Sequence, residues 1–495
     1  MLSVLMVVSC SDLEENPAEV QLAPESLSSD SALEALVAGM YRKLQNNAQW
    51  SAFFIAGYGG DDISTRSTSN KAGFRDSDWR MQTPSSDRLN DAYNGCYNAI
   101  TIANTAIAAK DNIEGDQAII DRLIGEAYFM RAFSYFHLTR TYGRVPVQLV
   151  PNSNEALTRA SFEDIYMQIE SDFHQAEILL PDVYPDVPAV GTRPNKGSAK
   201  AFLARLYMHW AGYPLKDTGK YALATSKAKE VIDNEGVYGF GLTTDFRAMW
   251  TEAGRFAHNE GVFTLIGCTA GCGIGNRTTG RLGLTNAAGG WNETFGEIAF
   301  YENQMAAAAV NGTMQRFEDT YISEVIPRAS NPVGADFMNE AELYNRHPMF
   351  RKIVGGDFAE TVNTTRNDIN RYFMRYADVL LMYAEASGRS GNVTADAWEA
   401  LNRVRRRAGA TLDLTSGDLA ELAYTERKWE FAGEYERWHD LVRMERVIDA
   451  FANRSPLEDV DVTHNITPST DTSGDYFYFS PIPQSELDNS PQLND

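Results

Sequence analysis

Between Asp30 and Gln49 the apolar side chains of Leu33, Leu36, Val37, Met40 and Leu44 recur at i, i+3, i+4 and i+7, behind an Asp-Ser start signal. That spacing predicts one buried face of a first α-helix. The period returns over 87–112 and again from Asp116 to Tyr142, through Leu123, Ala127, Met130, Phe133 and Phe136, and it stops at Gly143 with Pro146 just beyond. Further amphipathic helices are predicted at 161–180, closed by Leu180-Pro181, and at 196–211 and 220–233, separated by a turn at Pro214. Ala201, Ala204, Tyr207 and Ala211, then Tyr221, Ala224 and Ala228, set small and aromatic residues where the two helices of a tetratricopeptide-type hairpin interlock. A similar pair is expected at 371–387 and 395–408, followed by one long helix over 418–451.

Two stretches interrupt the pattern. Residues 50–86 gather Gly, Ser, Asp, Arg and single aromatics, and read as a long loop region. Over 236–370 glycines cluster at 267–290, prolines scatter, and only short apolar runs such as Val262 to Ile266 suggest strands, so this excursion is expected to be neither helical nor uniformly disordered. The predicted fold class is therefore mainly α: one domain over 30–495, with a helix-pair scaffold at 30–49, 87–235 and 371–451. Loops at 50–86 and a large loop-rich insertion at 236–370 are the expected ligand-binding parts.

Composition narrows the function classes. With 495 residues the chain has room for two or three domains, and 43% hydrophobic with 22% charged residues excludes a disordered, collagenous or coiled-coil chain. The formal net charge is −23, which repels nucleic-acid phosphates and anionic membrane surfaces, so no nucleic-acid partner is expected. Cations are mostly arginine, 33 Arg to 11 Lys. Met1 to Ser9 are almost all apolar or small and lead into Cys10-Ser11-Asp12, the way a bacterial lipoprotein signal ends at the cysteine to be acylated. The basic start of such a signal is missing, and nine residues cannot span a bilayer. The reading is a signal over 1–10, lipidation at Cys10 and a tether over 11–29; a short apolar terminus with an incidental cysteine is the alternative. Cys268 and Cys272 form C-x3-C without a second ligand pair, too few for a tetrahedral zinc site, which leaves a local disulfide or two thiols.

Catalytic motifs are scarce. The nucleophile elbow G-x-S-x-G is absent, the Gly212 to Tyr221 segment lacks phosphate-loop spacing, and Gly271-Cys272-Gly273-Ile274-Gly275 has Thr278 where a third glycine belongs. No cofactor is predicted. His439-Asp440 sits on a helical segment where adjacent side chains diverge, which favours a structural role, and the Arg403, Arg405, Arg406, Arg407 run reads as a solvated or salt-bridged helix face. Tryptophans are more telling. Trp50, Trp79, Trp250 and Trp291 lie in or beside loops among Asp, Asn, Arg and Gly, and an indole face stacks on the CH face of a sugar while short polar side chains bond its hydroxyls.

Several strings together resemble the SusD/RagB family of nutrient-binding outer-membrane lipoproteins. They are Gly125-Glu126-Ala127-Tyr128-Phe129-Met130-Arg131-Ala132 running on to Tyr142-Gly143-Arg144-Val145-Pro146, and Lys196-Gly197-Ser198-Ala199-Lys200-Ala201-Phe202-Leu203-Ala204-Arg205. Arg375-Tyr376-Ala377-Asp378-Val379-Leu380-Leu381-Met382-Tyr383-Ala384-Glu385-Ala386, Leu401-Asn402-Arg403-Val404-Arg405, Glu436-Arg437-Trp438-His439-Asp440-Leu441 and Pro481-Ile482-Pro483-Gln484-Ser485-Glu486-Leu487 follow in the family's order. The resemblance implies an acyl-anchored protein at the cell exterior that caps a SusC-like TonB-dependent transporter and passes it glycan oligomers, or in some members peptides. It implies four tetratricopeptide-like helix pairs with the ligand site in the inserted loops, and no catalysis. Trp79 and Trp291 fall in the two regions that supply the aromatic arc in starch-binding members. They are the expected stacking residues, supported by Asp62, Arg80 and Asn292 and by Trp50. Arg66, Arg75 and Arg80 would supply the positive patch an anionic glycan needs. A glycoside hydrolase stays open from the many carboxylates.

Overall fold

The computed structural model describes residues 24–65, 72–151, 157–268, 282–283, 291, 293–322, 347–355, 368–458 and 478–494. Its amino-terminal half contains α1 (Asp30–Ala48), α2 (Ala72–Asp78), α3 (Asp87–Ala109), α4 (Gln117–Tyr142), α5 (Phe162–Leu179), α6 (Lys196–Trp210) and α7 (Lys220–Asp233). Leu33, Val37, Met40 and Leu44, the periodic face of α1, are buried. Side chains close the helix starts as the sequence leads one to expect: Asp116 accepts from Ala118 N–H, Ser161 from Asp164 N–H, and Asn195 forms a reciprocal capping box with Ser198. Gly143, at φ 74°, ends α4.

Within this array α1 packs on α3, α3 on α4, α4 on α5, α5 on α6 and α6 on α7. The chain then departs through α8 (Glu235–Tyr238), β2 (Gly261–Leu265), β3 (Phe295–Gly296), α9 (Ile298–Asn311), α10 (Met314–Thr320), β4 (Tyr321–Ile322), β5 (Met349–Phe350) and α11 (Arg351–Val354). It returns through β6 (Arg371–Arg375) to α12 (Tyr376–Arg389), which packs directly on α7 and is covered in turn by α13 (Ala395–Arg407) and α14 (Leu419–Glu430). Continuing α12 on α7 across the excursion makes the helical stack one body. α15 (Arg437–Arg443), α16 (Val447–Ala452) and α17 (Gln484–Asn489) complete it.

Five expectations change. The helix predicted from residue 371 is a strand up to Arg375, antiparallel to β2 with a bulged register, and only then a helix. The long helix over 418–451 is three helices, because Gly433 at φ 75° and Tyr435 at φ 66° turn the chain between α14 and α15, and Glu445 at φ 54° turns it again. Residues 50–86 are not a plain loop. They hold a 3-10 stretch, Gln49–Gly59, with Phe53, Ile55 and Tyr58 buried, then β1 (Ile63–Ser64) and α2. Among the described residues the central excursion carries helices α9, α10 and the short α11, where none was expected. At the amino end Leu27 is buried and Ser29 bridges Glu114, so the predicted tether is docked over its last residues; 11–23 and Cys10 lie outside the described residues.

Arginine is used inside. Arg375 binds Glu260 and Glu430 at 2.5 and 2.9 Å and Glu434 at 2.8 Å, while Arg443 joins Glu385 and Asp440. A planar guanidinium offers five N–H donors in a fixed fork, which lets Arg375 meet three carboxylates at once. The Arg403–Arg407 run is salt-bridged: Arg407 turns inward to Glu260 and Glu430, Arg403 meets Glu235, and Arg406 meets Glu399 and Asp413 at the surface.

Candidate functional site

Two segments far apart in the chain meet in a short antiparallel ribbon, where β1 pairs with β3 and Ser64 faces Phe295. The chain after Ser64 and the chain before Phe295 leave this ribbon at the same end. Asp78, the last residue of α2, is fully buried, and its Oδ2 accepts from the Thr65 N–H at 2.9 Å and the Thr65 hydroxyl at 2.7 Å. Its other oxygen meets Arg454 at 2.7 Å. Burial pushes the Asp78 pKa up, against the pull of Arg454 and Thr65. These bonds fasten the end of α2, and with it Trp79, to the end of the ribbon from which the Trp291 segment departs.

Beneath the ribbon lies a second layer of buried charge. Glu458 accepts from the Ser64 hydroxyl at 2.5 Å, the Ile298 N–H at 2.9 Å and His347 Nε2 at 2.8 Å. Burial works to raise its pKa, but His347 and Arg454 hold it down at about 2. Glu297 caps α9 by accepting from Phe300 N–H and also accepts from Ser455 N–H, both at 2.6 Å. Burial and the nearby Glu458 push its pKa to about 7.

Trp79 is half-buried, with the Arg75 guanidinium 5.7 Å from its ring centroid and its indole N–H without a hydrogen-bond acceptor in the protein. Trp291 is also half-buried and packs against the main core. Arg80, at φ 55°, turns away from Trp79 and lays its guanidinium 4.2 Å over the ring of Trp438; burial lowers its pKa to about 10. Asp62 does not face a ligand. It is fully buried, with Oδ2 accepting from Gly433 N–H at 2.8 Å, and burial together with Asp61 brings its pKa to about 7. Trp250 is core, packed with Phe246, Met249 and Tyr372. Trp50 lies in the 3-10 stretch before β1, and Asn292, Arg66 and Cys272 lie outside the described residues. Cys268 is disulfide-bonded and Cys96 is a buried thiol. Among the described residues no helix is long and apolar enough to cross a membrane.

Residues 13–208 match a SusD-like family model described as starch-binding associating with outer membrane, and residues 295–495 match the SusD family model. The chain belongs to the SusD/RagB family. SusD-like protein P2 of Formosa agariphila is 26% identical to it over 512 residues, spanning 98% of this chain and 95% of that protein. A SusD homologue of Bacteroides thetaiotaomicron has the same fold, with a TM-score of 0.78 at 21% identity over 96% of this chain and 99% of the other. A laminarin-binding SusD-like protein follows at 0.73 and 23%, covering 94% and 98%.

In this SusD/RagB chain the residues that fasten the end of α2 before Trp79 escaped sequence reasoning. Asp78 and Arg454 are separated by 376 positions, and no local spacing announces their bond. A weaker signal was present: Asp78 directly precedes Trp79 in a polar segment, and a carboxylate beside a candidate stacking residue invites the question of what holds it.

Proposed function

We propose that the protein is a cell-surface lipoprotein that captures oligosaccharides through stacking on Trp79 and Trp291 and hands them to a SusC-like TonB-dependent transporter, with Cys10 as the lipid anchor in the outer membrane. The observation that carries this reading is the fastening of Trp79 to the ribbon end from which the Trp291 segment leaves. Two half-buried indoles on a rigid base form a platform that loses little entropy when a sugar ring settles on it. Arg75 beside Trp79 adds a charged donor and leaves room for an acidic substituent on the glycan. Structural relatives are described as a laminarin-binding SusD-like protein and as surface glycan-binding protein A of Bacteroides uniformis, which supports a glycan over a peptide.

Isothermal titration against a panel of neutral and acidic oligosaccharides tests the reading. Trp79→Ala and Trp291→Ala are each expected to weaken binding by about tenfold or more, the loss of one stacked ring at roughly 1–3 kcal/mol. Unchanged affinity in both variants would remove the site assignment. Binding of oligopeptides with no glycan hit would replace the substrate class, and release of reducing ends from a bound glycan would make the protein a hydrolase.

A further inference from the structure

A small, partly open cavity lies where α4, α5, α6 and α15 meet the carboxyl-terminal segment. Its polar lining consists of Arg140, Tyr166, His209 and His439, with Tyr213 and Phe479 among its walls. Arg140 donates from Nη1 to Glu436 at 2.9 Å, but its buried Nε–H has no acceptor. Glu436 is itself shared with Arg205, 3.6 Å away. The His209 and His439 rings stand 6.5 Å apart. Among the described residues neither ring has a side-chain hydrogen bond to a protein group, and Asp440, next to His439, is turned to Arg427 and Arg443. The centre of the cavity has room for about one water-sized species.

The charged groups that act on the two rings are arginines, with Glu436 and Asp440 held in those arginines' own ion pairs. Burial and then Arg140, Arg443, His439 and Arg205 hold His209 well below its ordinary pKa. Burial and then Arg140, His137 and Arg205 do the same to His439. Burial and the neighbouring arginines oppose a further proton, so both imidazoles are neutral and each keeps one N–H to donate. A cation bound between them would meet the same repulsion. A small anion would instead gain from the same arginines and accept from the Arg140 Nε–H, which otherwise goes unmet.

We propose that this cavity is a binding site for a single monatomic anion, a halide, held by the Arg140 Nε–H, the His209 and His439 imidazoles and the Tyr166 hydroxyl. Its size excludes a glycan or a bulky oxyanion. A halide there would tie three scaffold helices to α15 and to the carboxyl-terminal segment.

The test uses bromide as the probe. Crystals soaked in sodium bromide are expected to give an anomalous peak inside the cavity in contact with Arg140 and the two imidazoles. In solution the wild-type Tm is expected to rise with the logarithm of bromide concentration relative to sodium gluconate at equal ionic strength, as mass action requires. His439→Phe, which keeps a ring of similar shape, is expected to abolish that rise, and the milder Tyr166→Phe to reduce it. Absence of the anomalous peak, equal melting in bromide and gluconate, or a bromide effect that persists undiminished in His439→Phe would each overturn the proposal.

Discussion

Arg454 and Asp78 meet at 2.7 Å with both side chains buried, so a residue near the end of the scaffold holds the one that precedes Trp79. Asp78→Asn keeps the shape and the Thr65 bonds but leaves the Arg454 charge without its partner. Removing one half of a buried ion pair costs about 3–5 kcal/mol. Urea unfolding should register a loss of that order, and titration of the folded variant should show weaker glycan binding although no platform residue has changed. Wild-type affinity in a destabilised Asp78→Asn would separate the anchor from the platform.

Stability should depend on pH from both sides. Asp62 rises from 3.8 to about 7 and Glu297 from 4.5 to about 7 on folding, so the folded state holds protons that the unfolded chain has released. Their contribution is complete below about pH 4 and is lost as pH climbs through 7. Glu430 and Glu458 move the opposite way, to about 2, and their contribution is lost as pH falls from about 4.5 toward 2. The urea midpoint should therefore decline on both flanks, and Asp62→Asn should flatten the alkaline one. A variant profile parallel to wild type between pH 4 and 8 would contradict the role given to Asp62.

Gly57 lies under the turn between α14 and α15. A Cβ at this position would stand 2.4 Å from the Tyr435 Cβ and 2.5 Å from its carbonyl oxygen, and the backbone there has little freedom to retreat. Gly57→Ala is expected to lower stability by about 1–3 kcal/mol, the usual cost of overpacking. Thermal melting checks it, and an unchanged Tm would mean the turn yields easily.

Arg371 is a buried guanidinium that donates from Nη1 to the Lys352 carbonyl at 3.3 Å, while its Nε and Nη2 find no acceptor. Burial lowers its pKa. Arg371→Met fills a similar volume without a charge, so the variant should be as stable as wild type or more so, by up to about 4 kcal/mol. A clear loss in urea unfolding would reveal a favourable role for the charge.

Helices were legible where a long apolar period runs along the chain, as on α1, where Leu33, Val37, Met40 and Leu44 are buried. The reading failed at β6. All of Arg371–Arg375 is buried, so neither alternation nor helical period marks the strand, and Arg375 starts α12 without a side-chain cap. The break after α14 had a visible cue in Gly433, overlooked because the flanking residues continue a helical pattern. For the site, residue type pointed to Trp79 and Trp291 but could not report orientation. Asp62 looks like a ligand carboxylate in the sequence, and it is internal because Gly433, 371 positions later, donates to it.

Glu235 opens the central excursion and Tyr376 begins the helix that follows it, and the Tyr376 hydroxyl donates to the Glu235 carboxylate. The excursion thus starts and finishes at one fixed point, with α7 and α12 already in contact behind it. Closing a flexible loop between fixed ends costs only about 0.6 kcal/mol more for each doubling of its length. Descent can therefore lengthen, shorten or exchange this segment while the helices on either side stay in register. A lineage that meets a new polymer need not rebuild its scaffold, since variation can be confined to a cassette whose two ends share a single joint.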